Sequence, residues 1–574
     1  MKNIGKVFPI FIFSFLSSVI VFPLLSPGYI LTMDIAFIPK LPFPDLFSPS
    51  FFFSSLLWLL NLFTPSYILQ KIMLYLVFFL SGWGMYRFVS KKYGWFGIYG
   101  GIFYAINPYV YERVMTGQWQ FLLGYSILPF VISAIIDFFD EPNRKNAVIL
   151  GIWSYLLINL AIHFTLVLLI IILIYGFIHA FYNKEKILIA VKHLTLFSAI
   201  LILLNANWLL PTILGRSDVS QIISLFNSSD LTAFQSVPDK NFGLIFNLLS
   251  GYGFWPEAYD YFISPKKIIF LWPILSLLLI SLSLYGLCKM FMDKEKSSFP
   301  EYMTFFVLFL ISLDFAGGVA LKSFGNIVYY LYEVLPFLRG FREPQKLVGV
   351  MMFCYAFFGS VGLASLMNKL KKGSVFYLLC FMFLFLPFIY TPTVFGGFWG
   401  QLKPVFYPES WSKVNNILTQ DKDDYTVIFF PWHQYIRFRF NGNRIAVNPA
   451  EYYFSKKILS SKNYETASLD SHDQRPEALH VEGLLSIEKT GINLLGDVVD
   501  QKIMWGESLS PIGVKYVILA KEDDWNKYKF LNDSTDLAII YDDSDLILYQ
   551  NMSWGKKDLF EAEKELEFIP DLEL

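Results

Sequence analysis

The sequence predicts an all-α bundle that crosses a membrane about eleven times and ends in a small α/β domain. Three observations carry this expectation. The 574 residues are 55% apolar and 19% aromatic but only 16% charged, with a mean hydropathy of +0.48, more apolar surface than a water-soluble core absorbs. Apolar runs long enough for a bilayer core of about 30 Å recur along residues 1–398. Beyond residue 399 the composition turns to Asp, Glu, Lys and Asn, so the chain divides into a membrane module, 1–398, and a water-facing domain, 399–574.

The apolar runs cover residues 7–25, 67–88, 95–110, 120–138, 147–162, 164–182, 193–213, 268–291, 302–317, 346–367 and 374–395. Lys2 and Lys6 precede the first, and Ser26-Pro27-Gly28 offers no small-x-small cleavage site, so it reads as an uncleaved helix. Lys and Arg collect in alternate short loops: Arg87, Lys91 and Lys92; Arg144 and Lys145; Lys184, Lys186 and Lys192; Lys289, Lys294 and Lys296; Lys369, Lys371 and Lys372. The positive-inside rule puts these loops and the N-terminus in the cytoplasm. An odd number of spans then puts the terminal domain outside. The long loops after spans one, seven and nine also fall outside, which moves the functional surface there. In the first outer loop, 26–66, residues 51–63 form an apolar stretch too short to span and read as an interfacial helix.

In the terminal domain the pattern predicts a helix over 409–419, strands over 425–430, 435–440, 444–447, 514–520, 537–541 and 546–550, and a polar turn at 542–545. Residues 556–574 read as an acidic, helical tail. Cys288, Cys354 and Cys380 all lie in apolar runs, so neither a disulfide framework nor a zinc site is expected. A formal charge of −1 without a long basic run excludes nucleic acid as the partner. The lipid bilayer is the partner that composition dictates.

Four groups of residues carry candidate chemistry. Asp34 follows the first span in Gly28-Tyr-Ile-Leu-Thr-Met-Asp34, flanked by apolar residues that hold it near the lipid interface. A carboxylate there can act as general base on an acceptor hydroxyl, against the plainer reading of a loop cap. Asn107-Pro-Tyr-Val-Tyr-Glu112-Arg113, with Gln118 and Trp119, offers charged and aromatic contacts to a sugar or phosphate, or forms an aromatic belt with a Glu-Arg pair. Arg339-Gly-Phe-Arg342-Glu343-Pro-Gln345-Lys346 leads into the tenth span with three cations in an outward loop, against the positive-inside bias. That placement at a helix start fits a lipid-linked phosphate, the alternative being anchorage to headgroups. His163, Asn205, Asn207 and Trp208 lie near outer helix ends, where interhelical hydrogen bonding competes with a substrate role. Trp432-His433-Gln434 follows a strand and reads first as surface. The Asp-x-Asp pairs 421/423 and 543/545 read as turns rather than metal sites, and no Walker loop or His-Glu-x-x-His helix occurs.

An early Asp in a long first outer loop with an interfacial helix, many further spans and a terminal outward domain together resemble the GT-C superfamily of membrane glycosyltransferases. More locally, Ala105-Ile-Asn-Pro-Tyr-Val-Tyr, Gly124-Tyr-Ser-Ile-Leu-Pro, Asn207-Trp-Leu-Leu-Pro, Phe341-Arg-Glu-Pro-Gln-Lys, Gly513-Val-Lys-Tyr-Val-Ile-Leu and Ile547-Leu-Tyr-Gln-Asn look like a bacterial and archaeal branch of it. That branch is related to the lipoteichoic-acid glycosylating proteins and the mycobacterial arabinofuranosyltransferases. The resemblance implies inverting transfer of a sugar from a polyprenyl-phosphate donor to a glycan, lipid or protein acceptor outside the cytoplasm. It implies Asp34 as base and Arg342, Lys346, Arg339 and Arg113 as holders of the donor phosphate, with Glu112, Gln118, His163, Asn207, Glu343 and Gln345 against the substrate. A single first-loop Asp departs from the paired acidic motif of many members and lets Asp45 or Glu112 compete as base. No cofactor is identified by these motifs, and a divalent metal stays open. The rivals from other classes are a transporter or flippase, which inverted repeats and broken midplane helices would mark, and a glycan-binding scaffold for cell-envelope polysaccharide.

Overall fold

The computed structural model describes residues 4–215, 228–292, 298–463, 465–466, 469–470, 473–490 and 503–555. The predicted acidic tail lies outside them. The contacts divide the chain into two compact units, Met1–Ser26 with Phe43–Lys403 and Pro27–Pro42 with Pro404–Leu574.

The first unit is helical. Among the described residues eight stretches are long and apolar enough to cross a membrane, or nine if the bent pair Ser374–Tyr390 and Pro392–Trp399, at 62°, is one span. The chain is thus a multi-pass membrane protein. The eleven expected runs map onto these stretches with local differences. The second and third runs form one stretch, Ser66–Met115, that doubles back at Gly94, whose φ of +59° suits glycine. Its arms touch backbone to backbone: a Cβ on Gly101 would lie 2.5 Å from the Gly82 carbonyl oxygen. The returning arm breaks again at Asn107-Pro108, leaving a short helix, Gly97–Ala105, and a second, Pro108–Met115. The fifth run is the helix Arg144–Leu160, whose 17 residues rise about 25 Å, short of a full crossing. The seventh is divided at Asn205 into Lys184–Leu204 and Ala206–Ile213.

The helix Val348–Met367 is buried along almost its whole length. Aromatic rings wrap it, with Phe88, Phe305, Phe353 and Phe357 in edge and tilted contacts of 5.0 to 5.9 Å. On another side glycines let Trp272–Met292 approach, because a Cβ on Gly286 would sit 1.9 Å from the Phe358 carbonyl oxygen and one on Gly362 would sit 2.3 Å from that of Leu282. Without a hydrophobic drive between helices in lipid, such small-residue contacts are what packing rests on. The short apolar helix forms as expected over Phe51–Asn61. Its 11 residues bury none of their number, and about 16 Å of helix cannot cross a bilayer, so an interfacial position satisfies it.

The second unit is α/β. Its strands are β1 (Thr426–Phe430), β2 (Tyr435–Phe438), β3 (Arg444–Val447), β4 (Lys457–Leu459), β5 (Glu465–Thr466), β6 (Leu469–Asp470), β7 (Val514–Ala520), β8 (Leu537–Asp542) and β9 (Leu546–Asn551). The main sheet has the order β4-β1-β7-β9-β8, with β4, β1 and β7 parallel and β9 and β8 antiparallel, while β2-β3 and β5-β6 are separate ribbons. β1 and β7 are buried at every position, as apolar runs covered on both faces require. Helix Glu409–Gln420 lays Trp411, Val414 and Leu418 on the core, where Trp411 stacks on Phe454 at 5.3 Å. The β8–β9 turn closes on Asp543, whose Oδ1 accepts from the Asp545 and Leu546 amides at 2.8 and 3.0 Å.

Gly286→Val is expected to cost more than the 1–3 kcal/mol of ordinary overpacking, because backbone cannot yield as a side chain does. Thermal unfolding of the purified chain in detergent should show a clear drop, while Gly373→Ala, with its nearest neighbour 3.9 Å away, should melt like wild type.

Candidate functional site

The break at Asn107-Pro108 creates the site in the first unit. Asn107 caps the new helix, its side chain accepting from the Val110 amide at 3.0 Å, and Pro108 takes the first turn, where no amide hydrogen is needed. The helix Pro108–Met115 is entirely buried and carries two charged residues in succession, Glu112 and Arg113. Successive helical positions point about 100° apart, so each enters its own polar cluster.

Arg113 is 0% exposed. Its guanidinium lies 3.6 Å from the centroid of the Phe254 ring and uses Nη1 to bind Gln118 Oε1 and Glu343 Oε2, the latter at 3.2 Å. Glu343 is the hub of the cluster. Its Oε2 also pairs with Lys346 Nζ at 3.1 Å, and its Oε1 accepts from Trp255 Nε1 at 2.9 Å. Lys346 Nζ in turn lies 3.0 Å from His163 Nε2, within hydrogen-bond distance. Burial alone would raise the Glu343 carboxyl, but Lys346 and Arg113 outweigh it and hold it well below the usual carboxylate range. Two cations thus share one buried carboxylate.

What the cluster leaves open matters chemically. Nε and Nη2 of Arg113, the side-on edge of the guanidinium, are buried without a hydrogen-bond partner. That edge is the fork by which arginine grips two oxygens of a phosphate or carboxylate. A buried donor left unfilled costs about 1–3 kcal/mol, so an oxyanion has something to gain there.

Arg342 stands beside the cluster, its guanidinium 4.6 Å from the Phe234 centroid and 3.8 Å from Asp230. Gln345 donates to the Phe234 carbonyl at 2.8 Å. Arg339 lies on the turn Pro336–Phe341, half-buried, with Nε unpartnered. Glu112, 1% exposed, leaves Oε1 without a partner and shares its surroundings with Glu257, itself bound to Lys266 at 2.7 Å. Asn207 goes elsewhere: its Nδ2 donates to the Leu46 and Ser48 carbonyls at 2.8 and 3.3 Å and ties down the chain ahead of the interfacial helix. Asp45 caps a turn through the Phe47 amide at 3.0 Å.

Asp34 belongs to the second unit. The reading that its apolar neighbours rest on lipid is corrected: Tyr29, Ile30, Leu31, Met33 and Ile35 are buried within that unit, and Asp34 is the exposed position among residues 29–35. Its Oδ1 accepts from the Tyr435 hydroxyl at 2.8 Å. In the same unit His433 Nε2 contacts Asp524 Oδ1 at 3.0 Å, so this histidine is tied to a carboxylate rather than simply solvated. Asp421 accepts from the Asp423 amide at 3.1 Å in the expected turn, and both carboxylates also hold Lys515, each at 2.6 Å. Among the described residues no group of three or more His, Cys, Asp or Glu side chains is placed to hold a metal. Trp255, Phe254, Glu257, Lys266 and Tyr435 escaped the sequence reading, since nothing in the loop between spans seven and eight or in strand β2 marks them in one dimension.

No protein-family model and no curated protein matches the chain. Among solved structures, the cryo-EM structure of arabinofuranosyltransferase AftD from mycobacteria superposes with a TM-score of 0.61 at 13% identity, covering 94% of this chain. Two further structures of an AftD mutant give 0.59 and 0.55 at 12% identity. The fold is a GT-C fold. The chain spans about 40% of the length of AftD, and the correspondence covers both units of this chain. At this identity it is the GT-C architecture that is shared.

Glu343→Gln leaves two buried cations without their counter-charge, a loss of about 3–5 kcal/mol. The expected outcome is a chain that melts far below wild type or fails to accumulate. Asp260→Asn, which removes an exposed partner of Lys267, should leave the melting temperature unchanged.

Proposed function

We propose that the chain is an inverting membrane glycosyltransferase that moves a sugar from a polyprenyl-phosphate-linked donor to a glycan, lipid or protein acceptor outside the cytoplasm. The observation that carries the reading is the unfilled side-on edge of Arg113, buried beside Lys346 on a GT-C fold. An anion with two adjacent oxygens suits that edge, and the phosphate of a lipid-linked donor is such an anion. Arg342 and Arg339 add positive charge from the segment entering helix Val348–Met367, and Gln118, His163 and Gln345 hold the cations and the chain around them.

In the reaction the acceptor oxygen attacks the anomeric carbon as the bond from that carbon to the phosphate oxygen breaks, which inverts the centre. The electron pair leaves with the polyprenyl phosphate, whose added charge Arg113 and Lys346 neutralise. The acceptor hydroxyl proton passes to a carboxylate, for which Asp34 is the candidate. Its exposure in an otherwise buried run and its place in the first loop after the opening helix support that role. The alternation of basic loops supports an N-terminus in the cytoplasm and the α/β unit outside, where lipid-linked donors are consumed. A metal is not needed for this charge balance. A flippase or a glycan-binding scaffold would have no use for an exposed general base, and mutation of Asp34 separates those readings from this one.

Asp34→Asn is expected to lower transfer by about 10²–10⁴-fold, the usual worth of a general base, with donor binding near wild type. Arg113→Gln should weaken donor binding at least tenfold. Radiolabelled sugar transfer in proteoliposomes, with donor binding measured in parallel, checks both. Full activity of Asp34→Asn would refute the assignment of the base.

A further inference from the structure

We infer that Tyr435 is a positioning residue for the transfer reaction and that the α/β unit serves catalysis by holding Asp34 in a fixed pose. The inference rests on Asp34 being the base. A carboxylate in a free loop samples many positions, and a misplacement of about 1 Å in a reacting group costs about 10²-fold in rate. Residues 27–42 are not a free loop. Tyr29 and Val405 exchange backbone hydrogen bonds at 2.6 and 2.8 Å, and a Cβ on Gly28 would lie 2.9 Å from the Val405 backbone, so the chain enters in close register. Met33 then joins the β2-β3 ribbon as an added strand residue, its amide donating to the Ile445 carbonyl at 3.0 Å and its carbonyl accepting from the Val447 amide at 2.7 Å. Thr32 and Ile35 pair across the turn at 2.9 and 3.2 Å, and Asn441 Nδ2 holds the Leu31 carbonyl at 2.9 Å.

These contacts fix the backbone on both sides of Asp34. Met33, the residue before it, has a φ of +26°, a conformation that persists only where surroundings enforce it. The side chain is also tied to the same ribbon. In the ribbon Tyr435 stands opposite Val447, the residue bonded to Met33, and its hydroxyl donates to Asp34 Oδ1 at 2.8 Å. That bond directs one carboxylate oxygen at the tyrosine. Tyr435→Phe keeps the ring and the strand but removes this orienting hydrogen bond.

The test uses the full chain in proteoliposomes, with polyprenyl-phosphoryl pentoses and hexoses, arabinofuranose among them, as donors and short pentose and hexose oligosaccharides as acceptors. The expected result for Tyr435→Phe is a fall in kcat of about tenfold or more with acceptor KM within about twofold of wild type, since orientation is lost and acceptor binding is not. Unchanged kcat in Tyr435→Phe alongside an inactive Asp34→Asn would overturn the positioning role and leave the base assignment standing. A raised acceptor KM with unchanged kcat would also overturn it, by making Tyr435 an acceptor contact. An active Asp34→Asn, or a wild-type chain that transfers none of these sugars, would remove the underlying reading and this inference with it.

Discussion

The first unit depends on a single carboxylate. Glu343 keeps the fully buried Arg113 and the largely buried Lys346 together, and it does so from the residue just before Pro344, at the start of the helix that runs through the centre of the bundle. Charges taken out of water are tolerated only when paired and hydrogen-bonded. Glu343 meets that condition with both oxygens occupied, by Arg113, Gln118 and Lys346 on one and Trp255 on the other. The arrangement still has one more cation than anion at its centre. Excess buried positive charge with an unfilled donor edge is costly in an empty protein and favourable around an oxyanion, which is why the energetics of folding and of binding meet at the same residues.

The second unit solves a different problem. A general base must be both accessible and fixed, and loops ordinarily give access at the expense of order. Here the segment 27–42 gains order from strand pairing with residue 405 and with the β2-β3 ribbon, and among residues 29–35 Asp34 is the exposed position beside buried neighbours. The α/β fold behind it is conventional, with buried parallel strands at its centre and helix Glu409–Gln420 closing the core through Trp411.

Much of this was legible in one dimension. The bundle, the interfacial helix and six of the nine strands follow from hydropathy period and turn chemistry, because long apolar runs and alternating strands leave strong local signals. β4, three residues long, and the two-residue β5 and β6 carry no period to read. The Asn-Pro break in the arm returning from Gly94 was not legible, since hydropathy measures apolarity and is blind to direction. For the site, the basic segment 339–346 stood out because its charges break the positive-inside pattern. Trp255 and Tyr435 stayed hidden because their roles come from residues 88 and 401 positions away in sequence. The apolar flanks of Asp34 were visible, but lipid and a protein core ask for the same residues, so only contacts could distinguish them.

The central claim is that the open edge of Arg113 is the seat of a lipid-borne phosphate. A cryo-EM structure of the full chain in nanodiscs containing a non-hydrolysable polyprenyl-phosphonate sugar tests it most directly. The account predicts phosphonate oxygens within hydrogen-bond distance of Arg113 Nε and Nη2, with Lys346 close by. Phosphonate density bound away from both cations, with the Arg113 edge still unfilled, would contradict it.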